Sequence, residues 1–179
     1  MKIASRLAVA LALFVIPFAA ACGNGTADAT QTPPQGKAAV EAWLTAGDYK
    51  AWHCEAKEHA ARSPSPHMIN RICSNEVLAA AGAGAVPEGS SGVKELYDKV
   101  GGKIIGYAVS LKTAADSSAG ASWYWYERNP AVNPMGDNVV ADGLGTSGNP
   151  KDVCVGCHVA ANSDAAHPGH GDFVYTQVP

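Results

Sequence analysis

The sequence predicts an α+β domain in which strands carry most of the core. Residues 104–112 alternate Ile105, Tyr107, Val109 and Leu111 with smaller residues, the period of a strand with one buried face. Residues 122–127 include Trp-Tyr-Trp-Tyr, side chains that favour the pleated surface of a sheet. Near the start, Val40, Trp43 and Leu44 fall on one side of a helical repeat, which supplies a flanking helix.

The first 21 residues stand apart from this domain. Lys2 and Arg6 precede a short apolar core at residues 7–18, and Ala19-Ala20-Ala21 lead directly to Cys22. This is the order of a lipoprotein export signal, with Cys22 as the lipidated residue and mature N-terminus. Ala19 stands where leucine is usual, and ordinary cleavage near Ala21 is the alternative outcome. The apolar run is too short for a lasting membrane span. Residues 22–37, poor in apolar bulk and holding a Pro-Pro pair, form a flexible tether, leaving one domain at residues 38–179. Removing Lys2 and Arg6 from the 13 basic groups leaves 11 against 16 acidic ones, a net charge of −5 that argues against a nucleic-acid partner.

Along the domain, residues 38–61 read as helix, broken at Gly47-Asp48 and resuming with Tyr49, Trp52 and Ala56 on the apolar side. Lys50, Glu55, Lys57 and Glu58 point outward, and His53 and His59 read as surface residues of that helix. Ser63-Pro64-Ser65-Pro66 stops it. A strand at residues 67–73, a short helix at 75–81 closed by Gly82 and Gly84, and a turn at 87–90 follow. Residues 93–97 read as a strand with Lys94 and Leu96 on one face and Val93, Glu95 and Tyr97 on the other. Residues 98–103 form a turn and residues 116–121 a loop. Residues 128–150, rich in Asn, Pro and Gly, read as a long functional loop, and residues 173–175 as a last short strand.

Near the C-terminus the chain reads Cys154-Val155-Gly156-Cys157-His158. Two thiols three residues apart lie on one side of a helical turn, where each can add to a vinyl group of haem, and the next residue, His158, is carried under the iron as its axial ligand. The same Cys pair also suits a redox disulfide or half of a zinc site. A zinc site wants a second ligand pair, and a thioredoxin-like pair belongs after an early strand, so covalent haem c is the expectation. Of the five cysteines, Cys54 and Cys73 then remain; in an oxidising compartment they suit a disulfide worth about 3 kcal/mol, the alternative being two buried thiols.

The position of the motif is informative, because it ends a mainly β domain and no methionine follows it. Tyr49 and Trp52, the turn into Val93-Lys94-Glu95-Leu96, Gly106-Tyr107-Ala108-Val109-Ser110-Leu111-Lys112, Trp123-Tyr124-Trp125-Tyr126, the haem motif and Asp172-Phe173-Val174-Tyr175-Thr176 follow one another in order. In that ordered set the chain resembles the cytochromes P-460 and their relatives, the cytochromes c′-beta. The resemblance implies a large antiparallel sheet with flanking helices, a homodimer and five-coordinate haem c. In the P-460 branch a lysine is bonded to the porphyrin edge, and Lys94 holds the matching position; a solvated strand lysine paired with Glu95 is the plainer reading. That branch also uses a distal carboxylate as a base toward hydroxylamine, for which Glu127 is the candidate, with Asp137 and Asp142 as poorer ones.

Three functions follow from this set. One is an enzyme oxidising hydroxylamine, alone or with nitric oxide, and passing electrons to an acceptor protein. The second is a binder of nitric oxide or similar gases. The third is an electron carrier with His67, His167, His170 or Met135 as sixth ligand. The enzyme is the expectation, held by its lipid at the periplasmic side of a bacterial membrane.

Overall fold

Period-two alternation sorts the strand side chains onto two faces of one sheet. The computed structural model describes residues 28–63, 65–163 and 171–179. Its seven antiparallel strands are β1 (His53–Cys54), β2 (His59–Ala60), β3 (Ile69–Ser74), β4 (Ser91–Tyr97), β5 (Ile104–Lys112), β6 (Trp123–Arg128) and β7 (Val139–Leu144). From β3 to β7 each strand pairs with its neighbour in sequence, and β1 and β2 both add to the outer side of β3. With a few short helices beside it, the domain is mainly antiparallel β.

One face packs on helix α1 (Lys37–Ala46). Val40, Trp43 and Leu44 of α1, with Tyr49 and Trp52, meet Cys73, Val93, Val109, Leu111, Tyr124 and Tyr126 from successive strands. Glu95 is on this face too, fully buried, and accepts from Tyr49 Oη (2.7 Å), Tyr97 Oη (2.6 Å) and Arg71 Nε (2.7 Å), so its charge is paired rather than stranded. The opposite face carries Trp123 and Trp125, which pack with Leu78 of α2 (Glu76–Ala79), Cys154, Val155, Phe173 and Val174. The Cys154–His158 segment is thus laid across one side of the sheet and helix α1 across the other.

Several expectations change. The helix expected over residues 38–61 ends at Gly47, whose left-handed φ of 79° caps α1. A single 3₁₀ turn, Asp48–Ala51, follows, and then β1 and β2 join the sheet, so His53 and His59 are strand residues and Ala56 is exposed. Long-range pairing wins over local helical spacing here, with Cys54 directly opposite Cys73 and joined to it by a disulfide. The loop expected over 128–150 contains β7, whose Val-Val-Ala-Asp-Gly-Leu lacks alternation but pairs with β6. The expected last strand is reduced to one bridge between Gly171 and Val174. The described part of the tether is docked: Pro33 is buried, Gly36 N–H donates to Tyr124 Oη (2.9 Å) and Ala29 O accepts from Glu76 N (2.9 Å). The export signal, Cys22, His167 and His170 lie outside the described residues. Among the described residues no helix is long and apolar enough to cross a membrane.

Candidate functional site

Strand register builds the floor of the site. Ile72, Lys94, Ala108, Glu127 and Ala141 are consecutive cross-strand partners on β3 to β7, forming one row across the sheet. Lys94 and Glu127 therefore flank Ala108 at two strand spacings, roughly 10 Å apart at the backbone. The small side chain between them leaves space that a larger residue would fill. A cavity of about 550 Å³ opens above this row, lined by Lys94, Ala108 and Glu127 from below and by Cys154, Cys157 and His158 from above. That volume is in the range of cofactor pockets.

The motif reaches the cavity through an irregular helix. Pro150–Val155 is a π-helical turn with Pro150 at its start, and Gly156–His158 continues as a single α-turn. Widened turns of this kind often mark functional positions. Gly120 (φ 95°) and Gly145 clear the socket for Val155: a Cβ at Gly120 would lie 2.5 Å from Val155 Cγ1, and one at Gly145 2.6 Å from Cγ2. Docked in this way, Val155 fixes the turn that presents the two cysteines. Cys154 is buried, its thiol pushed up to about 12 by burial, while Cys157 is exposed; neither is in a disulfide.

His158 is oriented by its second nitrogen. Nδ1 lies 2.7 Å from the Phe173 carbonyl, an acceptor only, so Nδ1 carries the proton and Nε2 keeps its lone pair. Burial pushes its pKa down to about 3, so the ring is neutral and suited to bind a metal. Trp125 packs against it at 4.6 Å and Tyr175 edge-on at 5.4 Å. Tyr175 Oη in turn donates to the Cys157 carbonyl (3.0 Å), tying the chain end to the motif.

Across the cavity three polar side chains form a chain. Lys94 Nζ lies 3.0 Å from His67 Nδ1, and His67 Nε2 lies 3.6 Å from Glu127 Oε2, a close approach too long for a hydrogen bond. Burial pushes Lys94 down to about 8. Burial, and then the Lys94 charge, hold His67 below its ordinary value. With Lys94 donating to Nδ1, the proton of the neutral His67 ring sits on Nε2, toward Glu127. For Glu127, burial works against the charge, but His67 and the Asn129 amide (3.0 Å to Oε1) outweigh it and keep the carboxyl below the usual range. The result is a buried carboxylate beside an amine of weakened basicity.

The structure thus brings Lys94, Glu127, Cys154, Cys157 and His158 to one cavity, and His67 with them. It separates the other candidates. Met135 is 74 % exposed; Asp137 is at the surface; Asp142 accepts from Tyr124 Oη and Lys37 N. His53 is half-buried and paired with Glu76, and His59 is exposed and paired with Glu55. Asn129 and the Phe173 carbonyl went unread in the sequence. Asn129 follows Glu127 by two residues, the spacing of one strand face, and that is the signal that could have found it; a backbone carbonyl has none.

The donor set fits haem c. Two unpaired thiols flank a neutral imidazole with one free nitrogen, and the adjoining cavity is walled mainly by apolar groups. Among the described residues no group of three or more His, Cys, Asp or Glu is gathered to hold a bare ion, so a zinc site finds no ligand set there. No protein-family model, curated protein or solved structure matches this chain.

Proposed function

We propose that the chain is an exported monohaem c-type cytochrome that performs redox chemistry on small nitrogen compounds. The observation that carries this is the meeting of the Cys154/Cys157/His158 motif with Lys94 and Glu127 around one cavity. Cys154 and Cys157 would hold the haem by thioethers and His158 Nε2 would take the iron, its ring fixed by the Phe173 carbonyl. When bound, the haem would supply a one-electron redox centre. Glu127, charged and held by Asn129 at one oxygen, accepts a proton from a substrate such as hydroxylamine at the other. His67 directs its Nε2 proton toward that carboxylate. Ile72, Ala108 and Val153 give the cavity apolar walls.

Lys94 is the residue for a bond to the porphyrin edge, as the resemblance to cytochromes P-460 implies. Burial leaves part of its amine neutral near pH 8, the nucleophilic form. Replacing one N–H and one C–H by a C–N bond removes two electrons and two protons, which an oxidant of the oxygen or peroxide class must take up. Electrons from substrate would leave to an acceptor protein, with the lipid on Cys22 keeping the domain at the membrane surface.

A second reading has an observation of its own. The His67 ring is also on the cavity, 6.4 Å from the His158 ring. An electron carrier with both imidazoles on iron would use it, and a gas binder would need neither base nor second ligand.

One set of spectra separates these. The purified protein should give a haemochrome spectrum of haem c, and its ferrous Soret band should be strongly red-shifted in the parent and ordinary in Lys94→Ala. Hydroxylamine turnover with an artificial acceptor should fall roughly 10²–10⁴-fold in Glu127→Gln. Sharp low-spin bands lost in His67→Ala would refute the enzyme in favour of the carrier. High-spin bands without turnover would leave the gas binder.

A further inference from the structure

We infer that the buried Lys112–Asp172 pair is a positioning device for His158, setting the electron density that the imidazole delivers to its metal. The inference rests on the haem reading above. Lys112 ends β5 with 1 % of its surface exposed, and its ammonium donates to Asp172 Oδ2 (2.5 Å) and to the Val86 carbonyl (2.7 Å). A buried ion pair is usually no more stable than well-packed apolar residues, so fold stability alone is a poor reason to find one here. What the pair grips is informative.

Asp172 Oδ2 also accepts the Val86 N–H (3.0 Å), and Oδ1 accepts the Ser117 hydroxyl. Burial disfavours the Asp172 charge, but Lys112, Ser117 and Val86 overcome it and hold the carboxyl below its ordinary value. Asp172 and Phe173 are the central pair of a tight turn closed by Gly171 N–H to Val174 O (3.0 Å) and Val174 N–H to Gly171 O (2.8 Å). Both have positive φ, 49° and 66°. Asp tolerates that region, whereas bulky Phe does so only when its surroundings impose it. Phe173 N–H is held by Asn162 Oδ1 (2.7 Å), and its carbonyl is the acceptor for His158 Nδ1.

The clamp therefore reaches His158 along two routes. Along the backbone, Asp172 fixes the turn that aims the Phe173 carbonyl. Through side chains, Ser117 Oγ accepts from Trp123 Nε1 (3.3 Å), Trp123 stacks on Trp125 at 5.7 Å, and Trp125 packs on His158. A well-aimed carbonyl strengthens the Nδ1 hydrogen bond and makes Nε2 a better donor, which favours ferric over ferrous iron. Neither Lys112 nor Asp172 lines the cavity, so the pair acts only through His158.

The test is resonance Raman of the iron–histidine stretch and a redox titration on the haem-bearing protein, comparing the parent with Lys112→Met, Lys112→Arg and Ser117→Ala. Lys112→Met should lower the stretching frequency and raise the ferrous-to-ferric ratio at fixed applied potential about tenfold, a rise of about 59 mV for one electron. Lys112→Arg should restore most of the shift, and Ser117→Ala should give a smaller shift of the same sign even if Lys112→Met does not fold. Val93→Ala, on the opposite sheet face, should lower stability and leave both readouts unchanged. Haem bound with an unaltered stretch and potential in Lys112→Met and Ser117→Ala overturns the inference alone. A parent protein without a haemochrome spectrum overturns the haem reading and this inference together.

Discussion

Gly120→Ala tests whether the socket for Val155 is as tight as the structure shows. The new Cβ would lie 2.5 Å from Val155 Cγ1, 3.0 Å from Cγ2 and 3.2 Å from Phe173 Cε1, at a φ of 95°. A side chain in that backbone region costs about 1–2 kcal/mol, and forcing a methyl into a packed site about 1–3 more. The expected loss is therefore about 2–5 kcal/mol, which for a domain of this size lowers Tm by roughly 4–20 °C. Val155→Ala removes the two methyls nearest the new Cβ, so in the double variant most of the packing cost should vanish, while the Phe173 contact at 3.2 Å and the backbone cost stay. Thermal unfolding of the four proteins in the cycle should give a coupling of about 1–3 kcal/mol in the favourable direction. A neutral Gly120→Ala, or a double variant whose losses simply add, would refute the socket.

Other expectations are sharper in sign than in size. Removing the disulfide by Cys54→Ser with Cys73→Ser should destabilise the domain by about 3 kcal/mol, read as a drop in denaturation midpoint at unchanged slope. Glu95 has its folded pKa below its ordinary 4.5, because Arg71, Tyr97 and Tyr49 overcome the effect of burial. Its contribution is therefore complete above about pH 4.5 and lost as pH falls below it; Glu95→Gln should flatten the acid limb of Tm against pH while Asp172 keeps a residual slope. Cys154→Ser or Cys157→Ser should leave haem held by one thioether, and the double variant none, as intact mass after acid-acetone extraction will report.

Legibility followed the range of the interaction. Period two placed Lys94 with Leu96, and Trp123 with Trp125 and Glu127, on single strand faces, and the sheet has them so. It could not say that those two faces are the same side of the sheet, since that depends on register across β4, β5 and β6. The two-residue strands β1 and β2 exist only through β3, so residues 53–60 looked helical on local spacing. The aspartate that clamps the turn before Phe173 is 60 residues from Lys112, and nothing near either residue announces the pairing.

The same alternation, reread with the sheet in hand, explains why the cavity is where it is. Along β5 the bulky Tyr107, Val109 and Leu111 face α1, and the smaller Gly106, Ala108 and Ser110 face the motif. In an ordinary one-sided sheet the small, polar phase would face water. Here it is partly covered by Cys154, His158 and the segment through Tyr175, so the missing side-chain volume becomes a cleft rather than flat surface. Gly92 opposite Ser110, and Ala108 between Lys94 and Glu127, extend the hollow across strands. Filling it should therefore test function without touching a polar group. Ala108→Leu would occupy the space between the two charged side chains, leaving the core on the α1 face intact. Near-parental Tm with haem attachment or turnover lost would follow if the hollow holds the cofactor and its substrate. Unaltered haem content and turnover in that variant would show that the chemistry takes place elsewhere.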